Sequence, residues 1–590
     1  MTTGHSFSSG DGELLCTFNA SGFVLRRASN RELLIRANRP ELFIPVIDGE
    51  PVPARLTGVE RHEGLVCARY ATPETSAVRD LILYIETRRD SFVMWTEFTL
   101  ARACQLNALD LFPAGTGVNF YDLVNFRNRH RTERTWPELI LGNPVDTSTY
   151  SDDWQFAPHP TAFILRKGAL SLFTGFLDLQ PSFGMRFKSA RNRIEHWRLD
   201  FGPQPHGLSL AAGASFRSGR LRLAWSENLE PHDLFLQHGR VLVEEGSVAD
   251  PAVKRRYDWW REPLYCTWGD QTLLADREAE TDLLNQTVDK VAPIIAKLDE
   301  ALVRRTVSVI RREHLPVRTL LLDEGWNVAR GDWRPHPQRF PDLRGLVDEL
   351  HAQGFKVMIW WSWAEIAAHA DIPANELAGG GWLNKHRSRW RDYSDPHIQD
   401  TYLKPLFRKL FSSDPDCYDL DGVKTDFLAD KIHPETPLGD PSWRGEEIYF
   451  QKLTGLFYRE MCRHKPDALH LGCAGNYWLA EFMDLNRTYD VHSSNWREHE
   501  ERARMLQCTA PGVPVSYDMM NFTENTDRYF ASARDLGAAI EIGNILMQRK
   551  SLFSSVTPAD DALFDLLRAG CALTSPARSL PPVLHPIAAG

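Results

Sequence analysis

No stretch of this 590-residue sequence approaches the roughly 18 uncharged apolar residues that a membrane helix needs. Its first residues, Met1–Thr2–Thr3–Gly4–His5, lack the charged-then-apolar pattern of a secretion leader. Cysteine is sparse. The nine present are scattered and odd in number, with no CxxC pair, so no disulfide framework is expected. A reducing cytoplasm is the simplest home, and the Asn-x-Ser/Thr sequences at Asn19, Asn285, Asn486 and Asn521 then carry little weight. Internal repeats, low-complexity tracts and a glycine-rich phosphate loop are also missing. A net charge of −10 argues against nucleic acid as the main partner. The one dense basic run, Arg127–Asn128–Arg129–His130–Arg131, reads as a solvated loop.

What the chain does have is length enough for more than one core and a high tryptophan count, 18. Residues 1–250 hold short β-branched and aromatic runs separated by Gly, Pro, Asn and Asp. Among them are Gly22–Phe23–Val24–Leu25, Leu81–Ile82–Leu83–Tyr84–Ile85, Phe92–Val93–Met94–Trp95 and Leu221–Arg222–Leu223–Ala224–Trp225. That texture predicts an all-β sandwich. Residues 251–261 read as a linker. From Leu264 onward, eight short apolar runs alternate mostly with helix-forming sequence, which predicts a (β/α)₈ barrel over 262–571. The sixth strand is expected at Arg487–Val491. A Pro-rich tail, 572–590, follows, and no C-terminal β-domain is expected.

The most telling stretch is Asp421–Gly422–Val423–Lys424–Thr425–Asp426–Phe427, a buried strand that ends on a carboxylate. Lys424, on the same strand face, is the expected counter-charge for Asp426. In such a barrel the chemistry sits at the C-terminal strand ends. Trp268, Asp323–Glu324, Trp360–Trp361, Lys424–Asp426, Cys473 and Asp490 all fall there. Carboxylates in an aromatic-lined mouth suit glycoside hydrolysis, with one acid as nucleophile and the other as proton donor. A metal site built on Asp323, Glu324 and Asp426 is the weaker alternative, because no His-x-x-x-His spacing accompanies them.

Five motifs, in order between about residues 264 and 507, carry a resemblance. They are Leu322–Asp323–Glu324–Gly325–Trp326; Gly331–Asp332–Trp333 with Arg339–Phe340–Pro341; His351–Ala352–Gln353–Gly354–Phe355–Lys356; Gly422–Val423–Lys424–Thr425–Asp426; and Gly472–Cys473–Ala474–Gly475. Together they resemble the melibiase-type α-galactosidases, glycoside hydrolase family 36, and more loosely their clan D relatives. The resemblance implies that Asp426 forms a covalent glycosyl-enzyme and that Cys473 and Gly475 lie against the sugar. It places Asp323, Glu324 and Trp326 in substrate binding, to which strand-end position adds Trp268, Trp361 and Lys424; no cofactor and no metal is expected.

Besides the missing C-terminal β-domain, the pattern departs from the family in two places. Glu324 stands where the family has a second Asp, and Tyr489–Asp490–Val491–His492–Ser493–Ser494–Asn495 replaces its acid/base segment. Asp490, three residues after Arg487, is the expected acid/base, with Glu498 and Asp518 next in line. The implied activity is a retaining α-glycosidase acting on an oligosaccharide or glycoside, α-galactosidase-like. Transglycosylation of the raffinose-synthase kind, another sugar specificity, and a catalytically silent sugar-binding barrel are the alternatives. Oligomeric state is not written in the sequence.

Overall fold

The computed structural model describes every residue except 1–4, 32, 114–154, 158–161, 168–169, 191–192, 227–230, 280–290, 363–364, 368, 381–388, 427–431, 474, 490, 492, 521–522, 552–553 and 575–590. The chain divides into two compact units. The first comprises residues 1–249 with 431–436 and 442–451, and the second holds the remainder. The two short inserts lie within the stretch predicted as barrel, and nothing in their composition marks them as belonging to the first unit.

Among the described residues, the first unit is built from antiparallel sheets of four, eight and seven strands. All four of the runs picked out above lie in its strands: Gly22–Arg27, Val78–Thr87, Ser91–Leu100 and Leu221–Ser226. Alternation decides their orientation. In Val78–Thr87, Leu81, Leu83 and Ile85 are buried, while Ile82 and Tyr84 are half-buried.

The second unit is a closed barrel of eight parallel strands. They are β1 (Leu264–Cys266), β2 (Thr319–Leu322), β3 (Lys356–Ser362), β4 (Gly422–Asp426), β5 (Leu469–Gly472), β6 (Leu485–Arg487), β7 (Val515–Met520) and β8 (Ala539–Ile542). The helices between them start where carboxylates cap them. Asp299 accepts from the Leu302 amide at 2.7 Å and Asp342 from the Gly345 amide at 2.9 Å. The helix Leu343–Ala352 ends at Gly354, whose φ of +83° only glycine adopts without strain.

Two expectations are corrected here. The sixth strand is Leu485–Arg487, so Arg487 closes it instead of opening it. Only one of its three residues is apolar, and a run that short leaves no hydrophobic signal to read. The stretch 251–261 is also no plain linker. Trp260 is buried in the barrel's apolar floor beside Leu264, Leu321, Met358, Leu469, Leu471, Leu485 and Ala539, and its indole N–H donates to the Asp467 carbonyl at 2.9 Å. Above that floor the inward positions turn polar.

Candidate active site

Strand alternation sends Cys266, Asp323, Lys424, Arg487, Asp518 and Glu541 toward one another in a buried layer above the floor. Lys424 Nζ lies 2.9 Å from Asp323 Oδ2, 3.5 Å from Glu541 Oε1 and 3.7 Å from Cys266 Sγ. The Cys266 thiol also donates to Asp323 Oδ2 at 3.1 Å, and the Glu324 amide to Asp323 Oδ1 at 2.8 Å. Burial disfavours the Lys424 ammonium, but Asp323, the Cys266 sulfur and Glu541 together hold its pKa well above the usual lysine range. Lys424 therefore carries a fixed charge.

Asp426 stands one step higher on β4. Its Oδ1 accepts from Arg487 Nη2 at 2.6 Å and its Oδ2 from the Trp360 indole at 3.0 Å. Arg487 Nη1 reaches Asp518 Oδ2 at 3.1 Å, and the guanidinium sits 4.5 Å above the Tyr489 ring. The expected Lys424–Asp426 pair is thus not the one formed. Lys424 belongs to Asp323 and Glu541, and Arg487 is the cation of Asp426. Exposure separates the acids further: Asp426 keeps 14% of its side chain exposed, against 5% for Asp323, 3% for Asp518 and none for Glu541. A substrate reaches Asp426 more readily than any of these.

Glu324 accepts a two-pronged contact from Arg330, Nε–Oε1 at 2.6 Å and Nη2–Oε2 at 2.9 Å. Burial raises its pKa, and Arg330 holds part of that rise back. Asp323, Glu324 and Asp426 each have an organic cation of their own: Lys424, Arg330 and Arg487. The Arg330 guanidinium also lies 5.6 Å from the Trp360 ring, which joins the Glu324 corner to the Asp426 corner.

The tryptophans are placed differently from the sequence expectation. In the parallel ladder Trp360 pairs with Lys424 and Ser362 with Asp426, so Trp360 shares their inward face. Trp361 points the other way. It stacks on Trp333 at 4.0 Å and packs against Phe407 and Phe457, so it is held apart from the acid cluster. Trp326 is fully buried, and its indole N–H donates to the Trp360 carbonyl at 2.8 Å. It braces the end of β3 and offers no face to a sugar. Trp268 is half-buried and packs on the β1 end of the floor.

The Cys473 thiol is buried and donates to the Thr425 carbonyl at 3.5 Å, next to Asp426. Gly475 is buried in the loop that follows β5. In the Asp-Glu-Gly-Trp motif, Gly325 has φ +124°, and a Cβ there would stand 2.6 Å from the Ile295 carbonyl oxygen. Arg339 of the next motif donates to the Gly325 carbonyl at 3.0 and 2.7 Å, which fixes that bend. Asp490 lies outside the described residues. Tyr489 just before it has φ +49°. Of the reserve acids, Asp518 is buried against Arg487, and Glu498 pairs with Arg502 along its own helix.

The sequence reading placed Trp360 at the strand ends but chose Trp361 for the sugar, and it missed Arg330 and Glu541 as members of this cluster. The register of β3 against β4 would have named Trp360, but register comes from the folded sheet. Glu541 sits in the short apolar run Ala538–Ile545, where a single acid reads as a solvated residue.

Similarity to known proteins converges on the same barrel. Residues 295–525 match the family described as "Glycosyl hydrolases family 31 TIM-barrel domain". That family is 31, whereas the motifs resemble family 36, so the placing common to both is the broader one, a glycoside hydrolase barrel. The "A type blood alpha-D-galactosamine galactosaminidase" of Flavonifractor plautii is 27% identical over 127 residues, 21% of this chain. The chain spans 9% of that relative's length. Among solved structures, the alpha-galactosidase of Lactobacillus brevis superposes with a TM-score of 0.55 at 13% identity, over 97% of this chain and 83% of its own. The GH36 alpha-galactosidase AgaA of Geobacillus stearothermophilus gives 0.55 at 12% identity, over 97% and 86%. A doubly substituted AgaA solved in complex with stachyose gives 0.52 at 12% identity, over the same shares. At these identities the likeness is one of fold.

Proposed function

We propose that this protein is a retaining α-glycosidase that cleaves α-galactosides or α-galactosaminides through a covalent intermediate on Asp426. The observation that carries this reading is the setting of Asp426. It is the most accessible acid of the inward cluster, at a barrel strand's C-terminal end, and it is held by one charged and one neutral donor. Two such donors aim the carboxylate without blocking its approach to an anomeric carbon.

In the first step an Asp426 oxygen attacks the anomeric carbon while Asp490 protonates the departing glycosidic oxygen. In the second, Asp490 takes a proton from water, which attacks the same carbon and frees Asp426. Positive charge that develops on the sugar ring is met by the Asp426 carboxylate. The Asp323–Lys424 pair offers an acceptor and a donor to neighbouring hydroxyls. The sugar class follows from the activities for which the relatives are named. The Glu324–Arg330 pair stands where the resembled family has a second Asp, so a guanidinium donor joins the carboxylate at that corner. A sugar hydroxyl in place of water would give transglycosylation from the same intermediate.

The deciding experiment is a panel of nitrophenyl α- and β-glycosides followed by trapping with a slow fluorinated glycoside of the best sugar. Turnover of α-glycosides and a single glycosylated peptide carrying Asp426 are expected. Label on another residue, or turnover without any label, would overturn the assignment.

A further inference from the structure

Glu541 is a buried acid of the inward layer for which the chemistry above has no use. It lies on β8, beside Leu264 of β1 in the parallel ladder, and it is wholly buried. Neither carboxyl oxygen has a hydrogen-bond partner of good geometry among the described residues, and its one ion-pair contact is Lys424 at 3.5 Å. We propose that Glu541 is a positioning residue acting through Lys424: as a neutral acid it leaves Lys424 to Asp323, and on ionising it draws Lys424 away. This inference rests on the glycosidase reading given above.

The argument is one of charge. The groups facing Glu541 are Lys424 on β4, Cys266 on β1, Arg487 on β6 and Asp518 on β7, with the Tyr529 hydroxyl 3.4 Å from its main-chain oxygen. Beyond them stand Asp323 and Asp426, partners of Lys424 and Arg487. With Glu541 ionised, Asp323, Asp426, Asp518 and Glu541 would share Lys424 and Arg487, the cations of this layer among the described residues. Holding a proton on Glu541 is the cheapest relief, since it is the acid with the least hydrogen bonding. Burial, with Asp518 adding to it against Lys424, pushes the Glu541 pKa up to about 7.

Lys424 is the lever. At 2.9 Å from Asp323 and 3.5 Å from Glu541, it sits nearer Asp323. Ionisation of Glu541 makes the two acids competitors for one ammonium. The Asp323–Lys424 pair then loosens, and with it the grip on the sugar. The loss belongs to binding, so it falls on KM more than on kcat.

The test compares the intact wild-type chain with Glu541→Gln, which keeps the shape of the neutral acid and cannot ionise. Rates are measured with the best nitrophenyl glycoside from mildly acid to mildly alkaline pH. The wild type is expected to lose kcat/KM through a rising KM at about tenfold per pH unit beyond neutrality, the slope of one proton. Glu541→Gln is expected to match it in acid and to keep its KM in alkali. Coincident profiles would overturn the proposal, and so would a folded Glu541→Gln that binds poorly at every pH.

Infrared difference titration gives an arm that needs no substrate. A buried carboxylic acid C=O band is expected in the wild type near neutrality, lost in alkali and absent from Glu541→Gln. Should that variant fail to fold, Glu541→Asp is expected to move the band. A wild type with no such band would overturn the proposal, whereas a band with no turnover on any glycoside would instead sink the glycosidase reading.

Discussion

Arg487 Nη2 meets Asp426 Oδ1 at 2.6 Å, while the other amino group of the same guanidinium holds Asp518. One planar cation therefore aims the accessible acid and ties it to a buried one. A lysine has a single charged point and cannot span both. Arg487→Lys is expected to lower kcat by about 10²–10³, the usual cost of one oriented donor in a site. Steady-state kinetics on an activated α-glycoside checks this. A change confined to KM would mean that Arg487 binds sugar without aiming Asp426.

Asp426→Asn preserves shape and removes the nucleophile. A fall in turnover of about 10⁴ or more is expected, with substrate affinity largely kept, because the lost interaction belongs to the transition state. Calorimetric binding of the natural sugar beside the kinetics separates the two. Ordinary turnover in this variant would place the nucleophile elsewhere.

Asp490→Ala should separate substrates by leaving group. A nitrophenolate departs with little protonation, whereas a sugar alkoxide does not, so natural linkages are expected to suffer far more. Added azide should then speed release of the glycosyl-enzyme, because azide attacks without a base. Equal losses on both substrates and no response to azide would move the role to another acid.

Neighbouring tryptophans should fail in different ways. Trp360→Phe removes the donor to Asp426 and is expected to cut turnover at a smaller cost in stability than the loss of Trp361, because a ring still fills most of the site. Trp361→Ala empties a site packed by Trp333, Phe407 and Phe457, at a cost of about 3–5 kcal/mol. Denaturant melts and kinetics on both proteins test the split. Equal stability losses would contradict it.

Asp421 gives a pH prediction at the opposite end of β4. Burial alone would raise its carboxyl, but His351, Lys465 and the Val357 amide hold it well below the usual range. The folded pKa is depressed, so the stability it contributes is present above about pH 4 and is lost as pH falls toward the folded value. Asp421→Asn is expected to cost about 3–5 kcal/mol near neutrality, as for a broken buried pair, and less in acid. Melts across that range would show the gap closing. A gap that stayed constant would reject the ionic account.

The sequence carried the barrel because most of its strands are short apolar runs with a turn signal beside them. Lys424 and Asp426 were legible for a related reason: charges inside such a run have nowhere polar to go except the barrel's mouth. Trp360 against Trp361 was not legible, since alternation separates two faces without saying which is inward. Arg487 was visible only as a neighbour of Asp490, because the strand that aims it has one apolar residue. Glu541 and the placing of 431–436 and 442–451 depend on contacts far apart in the chain, which local patterns do not encode.

The segment that precedes β1 behaves as a strap drawn under the barrel. Lys254 Nζ pairs with Asp484 at 3.1 Å, Trp260 bonds the Asp467 carbonyl, and Arg256 Nη2 donates to the Gly512 carbonyl at 2.7 Å. Those three anchors lie just before β6, β5 and β7 in turn. A barrel trimmed to begin at its first strand would look complete by a count of strands, yet it would lack the fastening for three of them. For this protein a useful cut falls before residue 250, where the second unit begins.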